Sequence, residues 1–364
     1  MKTLKWLTVV FFSLAIVANV MSIPALYAKG WEITGDIARV VGVITVIGGL
    51  VCAVMYLRAL ALPANDTVFY KMHGIGNDYI YFDCMTHELA APEAVSIALS
   101  DRHKGIGGDG IVMICRSEVA DAKMRMFNAD GSEGKMCGNA IRCVGKFLYD
   151  FGKVNKTTVT VETLSGIKTL QLTIGADNKV ETVRVDMGAP ILNPSDIPVC
   201  IDGYEGDKIV GVENQFAGGR YAITCVSMGN PHCVIFTDPD ELDLEKIGPS
   251  FENDRIFPER VNTEFVKVLG KNDLKMRVWE RGSGETWACG TGACAVAVAA
   301  VLNGYADRNS DITVRLRGGD LTICWTDDTV YMTGSATLAF VGSVRLYGKD
   351  GLVRYDGEAK KFFS

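Results

Sequence analysis

The sequence predicts an α/β protein of two pseudo-symmetric halves, each a mostly antiparallel or mixed sheet wrapped around a central helix, with the active site in the cleft between them. Three observations predict this fold: an internal repeat, a Cys-Gly pair before an apolar helix in each copy, and Val- and Thr-rich strand patterns in the remainder. Ahead of this part, two long uncharged runs predict a two-helix transmembrane hairpin.

The internal repeat is the strongest of these signals. Residues 122–143 reappear as residues 274–294, each copy with a Lys-Met-Arg triplet near its start and a Cys-Gly pair near its end. The cysteines of the two pairs, Cys137 and Cys289, are 152 positions apart, and so are the two triplets. A Gly-Asn pair at 76–77 recurs at 229–230 with nearly the same offset. We therefore expect two copies of one supersecondary unit.

Each copy is predicted to run from strand to loop to helix. Residues 124–127 and 276–279 alternate as strands do, and a Gly/Ser loop follows each of them. Cys-Gly then opens an apolar helix, clearest in the alanine-rich run 293–302. Further strands are predicted at 157–162, 182–186 and 311–315.

The predicted domain organisation has four parts. These are a membrane anchor and linker over 1–66, a first half over 67–184, a second half over 185–344 whose final strand can return to the first half, and a tail over 345–364. A pseudo-twofold relation between the two halves should bring the two Cys-Gly turns face to face.

The membrane prediction depends on two runs without charged side chains, residues 6–28 and 40–57. At a rise of about 1.5 Å per residue, each can cross a hydrocarbon layer of about 30 Å. A cleaved signal peptide is the alternative, because Lys2 and Lys5 precede the first run and small residues end it. Lys and Arg are more frequent at the outer ends than in the connector, so we expect anchoring in the inner (cytoplasmic) membrane with the larger part in the cytoplasm.

The composition argues against several classes of function. A net charge of −6 without an extended basic block argues against nucleic acid as a partner. Eleven cysteines without a C-x-x-C pair, and four scattered histidines, fit neither a disulfide scaffold nor a zinc site, so no metal is expected. We expect a reducing compartment in which most of the thiols, including those at 52, 84, 115, 143, 200, 225, 294 and 324, are buried apolar side chains.

The two Cys-Gly pairs are the best candidates for chemistry. A thiol at a helix N-terminus meets unpaired N–H groups and the positive end of the helix dipole, which should lower its pKa. Two such thiols related by pseudo-symmetry can act as a base on one face of a carbon and an acid on the other, which inverts a stereocentre. The same amides can bind a substrate carboxylate near the developing carbanion. Cys137 and Cys289 are therefore the predicted acid/base pair.

Six motifs in series, between about residues 69 and 344, resemble the diaminopimelate epimerase family. They are Met-His-Gly-Ile-Gly-Asn-Asp at 72–78, Asp-Arg-His-Lys-Gly-Ile-Gly-Gly-Asp-Gly at 101–110, Phe-Asn-Ala-Asp-Gly-Ser-Glu at 127–133, Met-Cys-Gly-Asn at 136–139, Met-Gly-Asn-Pro-His at 228–232 and Glu-Arg-Gly-Ser-Gly-Glu-Thr-Trp-Ala-Cys-Gly-Thr-Gly at 280–292. The resemblance implies a homodimer that converts LL-diaminopimelate to meso-diaminopimelate, on the route to lysine and peptidoglycan. It also implies that neither pyridoxal phosphate nor a metal takes part.

The resemblance also implies roles for individual residues. Cys137 and Cys289 match the proton donor and acceptor, and His232 and Glu280 match residues that tune the two thiols. The positions that match substrate contacts are Asn77, Asn128, Gly138, Asn139, Asn230, Asn262, Glu280, Arg281, Gly290 and Thr291.

The sequence departs from the family pattern and from its own symmetry at a few positions. Ala140 stands where glycine is commoner in the first Cys-Gly-Asn motif, and Gly110 stands where some members have a glutamine. Glu280 occupies, in the second repeat, the position that Asn128 holds in the first. A titratable group beside one thiol should bias the pair toward one thiolate and one thiol.

Alternative functions remain open at this stage. A proline or hydroxyproline racemase shares the two-thiol chemistry, although Arg281 and the asparagines favour a longer substrate with a polar far end. A relative that isomerises with a single acidic base is disfavoured, because both cysteines are present. From a different class, a membrane-tethered redox-sensing protein would use Cys137 and Cys289 as a reversible disulfide.

Overall fold

The structure, a computed structural model, describes residues 65–216, 219–347 and 354–358. The predicted transmembrane runs, 6–28 and 40–57, lie outside the described residues. Among the helices that are described, none is both long enough and apolar enough to span a bilayer.

The described chain alternates strands with four α-helices. The strands are β1 (Asn65–Gly74), β2 (Asn77–Cys84), β3 (Gly110–Cys115), β4 (Ala122–Asn128), β5 (Glu133–Gly134), β6 (Thr158–Thr163), β7 (Gly166–Ile174), β8 (Val180–Asp186), β9 (Val212–Phe216), β10 (Gly219–Ser227), β11 (Pro231–Phe236), β12 (Asn262–Gly270), β13 (Asp273–Glu280), β14 (Gly284–Thr286), β15 (Ile312–Leu316), β16 (Gly319–Trp325), β17 (Val330–Ser335), β18 (Thr337–Tyr347) and β19 (Arg354–Glu358). The helices are α1 (Pro92–Ser100), α2 (Gly138–Asp150), α3 (Leu244–Glu252) and α4 (Gly290–Leu302), with a short 3-10 helix at Pro239–Glu241.

Strand pairing follows the same pattern in the two halves. In the first half β2 pairs parallel with β3, β3 antiparallel with β4, and β4 parallel with β6. In the second half β11, β12, β13 and β15 repeat this parallel, antiparallel, parallel series. The hairpins β6–β7–β8 and β15–β16–β17 complete the two copies. The structure thus has the duplicated mixed sheet that the sequence repeat predicts.

Two connections join the halves. β8 pairs antiparallel with β17, with Val183 opposite Gly334, so the last hairpins of the two sheets are continuous. β18 pairs with β1, and the rings of Phe69 and Phe340 meet edge to face with centroids 5.9 Å apart. The final long strand therefore returns to the first half, as the sequence analysis allowed.

Each half buries one helix almost completely. Every residue of α4 from Ala293 to Ala300 has no exposed surface, and α2 buries Ile141, Val144, Phe147 and Leu148 to the same degree. A helix that is apolar on all sides belongs in a core, and each large apolar side chain buried there contributes about 1.5–3 kcal/mol. A second cluster under α3 stacks Phe216 on Phe251, with ring centroids 4.6 Å apart.

The predicted elements match the observed ones with small shifts at their ends. The strands predicted at 157–162 and 311–315 are observed one residue later, as β6 and β15. The helix that Cys-Gly was predicted to open begins at Gly290, as expected, and ends at Leu302. Helix α1 was not predicted, because Pro92–Ser100 offers only nine residues of weak apolar periodicity.

The cysteines expected to be buried apolar residues are mostly so. Those at 84, 115, 143, 225 and 294 are buried. The expectation is wrong for Cys200, which is exposed, and for Cys324, which is only partly buried. Position 52 lies outside the described residues. The described cysteines are all free thiols.

Candidate active site

Cys137 and Cys289 occupy equivalent positions, each at the N-cap of the central helix of its half. Both have extended backbones, with φ of −132° and −119°. The main-chain oxygen of Cys137 accepts the first helical bond from Ile141 at 2.9 Å, and that of Cys289 accepts from Ala293 at 3.0 Å. Each thiol therefore lies beside the N–H groups that a helix start leaves without intrahelical partners.

The two helix starts pack against each other. Asn139 Nδ2 donates to the main-chain oxygen of Ala288, the residue before the second cysteine, at 3.1 Å. A Cβ added to Gly138 would lie 2.7 Å from Met332 Cε, and one added to Gly290 would lie 3.1 Å from Met332 Sδ. Both turns approach the same methionine, so a side chain at either position would have to displace the end of Met332. The predicted meeting of the two Cys-Gly turns is thus observed at the level of their backbones.

Cys137 faces an amide that a carboxylate holds in place. Its Sγ lies 3.4 Å from Asn77 Oδ1, to which the thiol donates, and Asn77 Nδ2 donates to Asp109 Oδ2 at 2.6 Å. Ile75 and Gly76 both have positive φ, of 49° and 90°, and form the two-residue turn between β1 and β2. The turn places Asn77 at the start of β2, and Asp109 fixes which end of the amide faces the thiol.

Asp109 belongs to a cluster of charges that the sequence analysis did not identify. Arg102 Nη2 lies 2.8 Å from Asp109 Oδ1 and 2.7 Å from Asp78 Oδ1, and Lys71 Nζ lies 2.5 Å from Asp78 Oδ2. Burial and the neighbouring Asp78 raise the pKa of Asp109. The available signal was its place inside the 101–110 motif, from which the sequence analysis assigned no residue to the site.

Cys289 has a different environment, in which buried acids dominate. The thiol is 4% exposed, and its Sγ lies 3.6 Å from Thr291 Oγ1. A Cβ added to Gly292 would lie 3.1 Å from this Sγ and 2.7 Å from Glu264 Oε1, so the carboxylate approaches the thiol. Glu264 Oε1 in turn accepts from His232 Nδ1 at 2.6 Å, and both side chains are fully buried.

Glu264 was missed by the sequence analysis, although its strand carries a signal. It is a lone carboxylate within the buried part of β12, where burial of an unpaired charge is strongly unfavourable. Parallel pairing sets His232 of β11 opposite Asn262 of β12, and this register brings the histidine to the carboxylate.

Glu280 lies near both thiols. Burial raises the pKa of Cys137 and of Cys289, and the negative charge of Glu280 adds to the increase at each thiol. The Thr286 hydroxyl donates to Glu280 Oε1. Burial raises the pKa of Glu280, against the opposing hydrogen bonds from Thr286 and Cys289.

The prediction that the helix starts lower the pKa of both thiols is wrong, because the net shift is upward at each. Burial raises the pKa of Cys137, while the amides of Ala140 and Asn139 and the charge of Arg142 act in the opposite direction. Burial also raises the pKa of Cys289 well above its usual value, and the carboxylates of Glu280 and Glu264 add to the increase. Desolvation of the thiolate therefore exceeds the contribution of the helix dipole at both positions.

The two thiol environments are electrostatically unequal. The strand register shows which positions of the two halves are equivalent. Val112 in the first half is equivalent to Glu264 in the second, and Tyr79 is equivalent to His232. Asn128 likewise takes the place of Glu280. The predicted asymmetry is therefore larger than the sequence indicated, because it includes Glu264.

The remaining predicted contacts on the second half gather around His232. Asn230 Oδ1 lies 3.1 Å from His232 Nε2. Asn262 uses both ends of its amide on the backbone, donating to Pro231 O at 2.8 Å and accepting from Arg281 N at 3.0 Å. Arg281 Nη1 donates to Glu259 O at 2.8 Å. Asn262 thus ties β11 to the Glu280–Arg281 segment.

Asn128 lies in the first half, where β4 ends. Its Nδ2 donates to Ser132 Oγ at 3.0 Å, which closes the turn after the strand. The structure therefore shows it bound within its own loop rather than to the thiols. Among the described residues, no cluster of three or more His, Cys, Asp or Glu side chains is arranged to hold a metal ion.

The sequence has close relatives over most of its length. The profile of the family described as Diaminopimelate epimerase matches residues 69–192 and 224–339. The chain is 55% identical over 282 residues to the diaminopimelate epimerase of Acetivibrio thermocellus, which covers 76% of this chain and 98% of that protein. It is 54% identical over 279 residues to the diaminopimelate epimerase of Methanococcus maripaludis, covering 76% and 99%.

Solved structures share the fold at low sequence identity. A phenazine biosynthesis protein of the PhzF family from Bacillus anthracis matches with a TM-score of 0.55 at 15% identity, over 77% of this chain and 99% of that one. A probable proline racemase from Agrobacterium radiobacter matches with a TM-score of 0.55 at 14% identity, over 76% and 92%. These likenesses establish the sheet-rich α/β fold alone. The extent and identity of the sequence matches show that the chain belongs to the diaminopimelate epimerase family.

Proposed function

We propose that this protein is a diaminopimelate epimerase that interconverts LL- and meso-diaminopimelate with Cys137 and Cys289 as its two acid/base residues. The observation that carries the proposal is the placement of one cysteine at each of two helix starts, held together by the bond from Asn139 to Ala288. Family membership supplies the substrate, and the paired thiols supply the means of inverting its stereocentre.

In the proposed reaction one cysteine, as thiolate, removes the proton from the substrate α-carbon. The other, as thiol, delivers a proton to the opposite face, and the two exchange roles in the reverse direction. The N–H groups at the two helix starts, at Gly138, Asn139, Gly290 and Thr291, bind the α-carboxylate and stabilise the negative charge that develops beside it.

Recognition of the rest of the substrate is assigned to the polar residues that flank the thiols. Asn77 contacts Cys137 and Asn230 contacts His232, so both amides face the proposed reaction centre. Arg281, which Asn262 holds in place, is proposed to bind the distal end of the substrate. This distal group favours diaminopimelate over proline or hydroxyproline.

His232 and Glu280 are proposed to set the charge states of the thiols without transferring the proton themselves. His232 acts through Glu264, whose carboxylate approaches Cys289, and Glu280 acts on both thiols. His232→Asn and Glu280→Gln should shift the limbs of the pH–rate profile and lower turnover while some substrate binding is retained. Alkylation profiles at both cysteines identical to wild type would remove these two residues from the mechanism.

The decisive test is incubation with LL-diaminopimelate in deuterated water, following stereochemistry and deuterium uptake together. Cys137→Ala and Cys289→Ala should each abolish epimerisation, because each direction needs both an acid and a base. Cys200→Ala is the matched control: it removes an exposed thiol outside the site and should leave turnover unchanged. Near-normal turnover in either active-site variant would contradict the two-base mechanism.

The dependence of activity on the oxidation state of the thiols separates catalysis from redox sensing. A redox switch would need the thiols only to form a disulfide. Thiol titration under reducing conditions, set beside the activity assay, should show full epimerisation with both thiols reduced. A protein that is inactive when fully reduced would instead favour the sensor.

Two further features are proposed from the sequence and family expectation. Residues 6–57 are proposed to anchor the chain in the inner membrane with the epimerase part in the cytoplasm, where reduced thiols persist. A mature N-terminus near Lys29, or protease access to the epimerase part outside intact cells, would contradict this. A homodimer is proposed as the oligomeric state, to be measured by light scattering on the detergent-solubilised full chain.

A further inference from the structure

Arg142 is the largest side chain that is fully buried in the described part of the chain. Its guanidinium lies between two glycines that come from different halves. A Cβ added to Gly74 of β1 would lie 2.8 Å from Nη2, and one added to Gly334 of β17 would lie 3.1 Å from Nε. Both strands therefore make room for the guanidinium by lacking a side chain.

The guanidinium is bound by main-chain oxygens. Nε donates to Ser335 O at 3.2 Å, and Nη1 donates to Gly138 O at 3.3 Å, in the residue that follows the first active-site cysteine. Nη2 has no hydrogen-bond partner among the described residues. A buried cation that lacks a counter-ion is strongly unfavourable, so its presence calls for a group that becomes negative nearby.

The titratable groups that face Arg142 are three thiols and a phenol: Cys143 on its own helix, Cys137 at the start of that helix, Tyr81 on β2 and Cys294 on α4. Burial raises the pKa of Cys143 to about 11 and that of Cys294 to about 12, and it raises the pKa of Tyr81 well above its usual value. These three groups are therefore neutral at physiological pH. Cys137 alone among the four is proposed to ionise during the reaction.

The second half has no equivalent cation. The repeat offset places Cys294 where the first half has Arg142. The thiol of Cys289 is approached instead by the carboxylate of Glu264, whereas Glu280 raises the pKa of both thiols. The two halves therefore differ in a buried cation behind the start of α2 and in the carboxylate of Glu264 beside Cys289.

We propose that Arg142 is a positioning residue that stabilises the thiolate of Cys137, so that Cys137 carries the charge of the resting pair and Cys289 carries the proton. The guanidinium acts from behind the helix start, through its bond to Gly138 O and its field, without contacting substrate. This inference rests on the proposed two-cysteine function.

The test compares the pH dependence of alkylation by iodoacetamide at Cys137 and Cys289, read separately by mass spectrometry on the full-length protein. In Arg142→Met the midpoint at Cys137 should rise by about one pH unit, which makes alkylation about tenfold slower at any pH below both midpoints. The midpoint at Cys289 should stay where it is, and Arg142→Lys, which keeps the charge, should restore most of the rate at Cys137.

Arg184→Met is the matched control. Arg184 also has a buried Nε without a partner among the described residues, but it packs over Tyr331 at 4.1 Å, and the thiol it affects is that of Cys324. Its loss should leave both alkylation profiles unchanged. If Arg184→Met shifted the alkylation midpoint of Cys137 as much as Arg142→Met does, the effect would reflect a general loosening of the fold. That result would overturn the inference.

Stability gives an independent readout. Arg142→Met removes a buried charge but also leaves Ser335 O and Gly138 O without their donor, so the variant should melt lower than wild type while remaining folded. If Arg142→Met does not fold, a comparison of Arg142→Gln with Arg142→Lys tests the same loss of charge. An unchanged Cys137 midpoint in a folded neutral variant, or a Lys variant that fails to restore it, would overturn the inference. Because alkylation needs no substrate, an inactive wild type would contradict the proposed function without affecting this result.

Discussion

Gly292→Ala tests whether the approach of Glu264 to Cys289 matters for catalysis. The added Cβ would lie 2.7 Å from Glu264 Oε1 and 3.1 Å from Cys289 Sγ, whereas such contacts are comfortable at about 3.5–4.0 Å. The neighbours must therefore retreat by roughly 0.5–1 Å. Glu264 can do so only by disturbing its 2.6 Å bond with His232, and Cys289 only by moving its thiol away from its present position.

The expected result is a loss of about a hundredfold in kcat/KM, since a displacement of about 1 Å at a reacting group costs roughly this much. Overpacking should also lower the free energy of unfolding by about 1–3 kcal/mol. The measurements are epimerisation of LL-diaminopimelate and denaturant unfolding. A folded Gly292→Ala protein that keeps kcat/KM within about twofold of wild type would refute the reasoning, because the magnitude derives from the displacement.

Gly270→Ala is the matched control, because no atom lies within 4 Å of the Cβ it would add. It should leave turnover unchanged. The first half supplies a natural comparison: Ala140 stands at the position equivalent to Gly292, and there Val112 replaces Glu264. Without a carboxylate at that point, the first helix start accommodates the methyl group of Ala140, which is fully buried.

Two further variants test the groups around each thiol. Glu264→Gln removes a negative charge that raises the pKa of Cys289. Alkylation of Cys289 should therefore begin at lower pH, while alkylation of Cys137 is unchanged. An unchanged pH profile at Cys289 would exclude the electrostatic role of Glu264. Asp109→Asn weakens the hold on Asn77, whose oxygen accepts from Cys137, and should lower turnover about three- to tenfold, the worth of a hydrogen bond of about 1 kcal/mol. Steady-state kinetics with unchanged kcat would show that Asn77 needs no such support.

The sequence alone was sufficient for the features that repeat or depend on local pattern. The 152-residue offset predicted two copies of one mixed sheet, and the strand pairing has that duplication. Cys-Gly before an apolar run predicted a thiol at each helix start, because the ends of a helix are set by the residues next to them. The order of the six motifs was enough to identify the family, which the close relatives then established.

The tertiary structure decided everything that depends on contacts between distant segments. Asp109 reaches Asn77 from a separate strand connection, and Glu264 reaches His232 only through the parallel register of β11 and β12. Neither lies close in sequence to the thiol it affects, so the motif around Asp109 and the lone carboxylate of Glu264 do not by themselves indicate which thiol each one affects.

The same distinction explains the one expectation about chemistry that failed. The helix dipole is a local property, and the sequence correctly placed both thiols within its reach. Burial is a property of the whole fold, since it counts every segment that covers Cys137 and Cys289, and it raises both pKa values despite the dipole. The sequence therefore predicts Cys137 and Cys289 as the reacting groups, whereas the charges around them, with Arg142 behind the first helix start and Glu264 close to Cys289, were decided by packing.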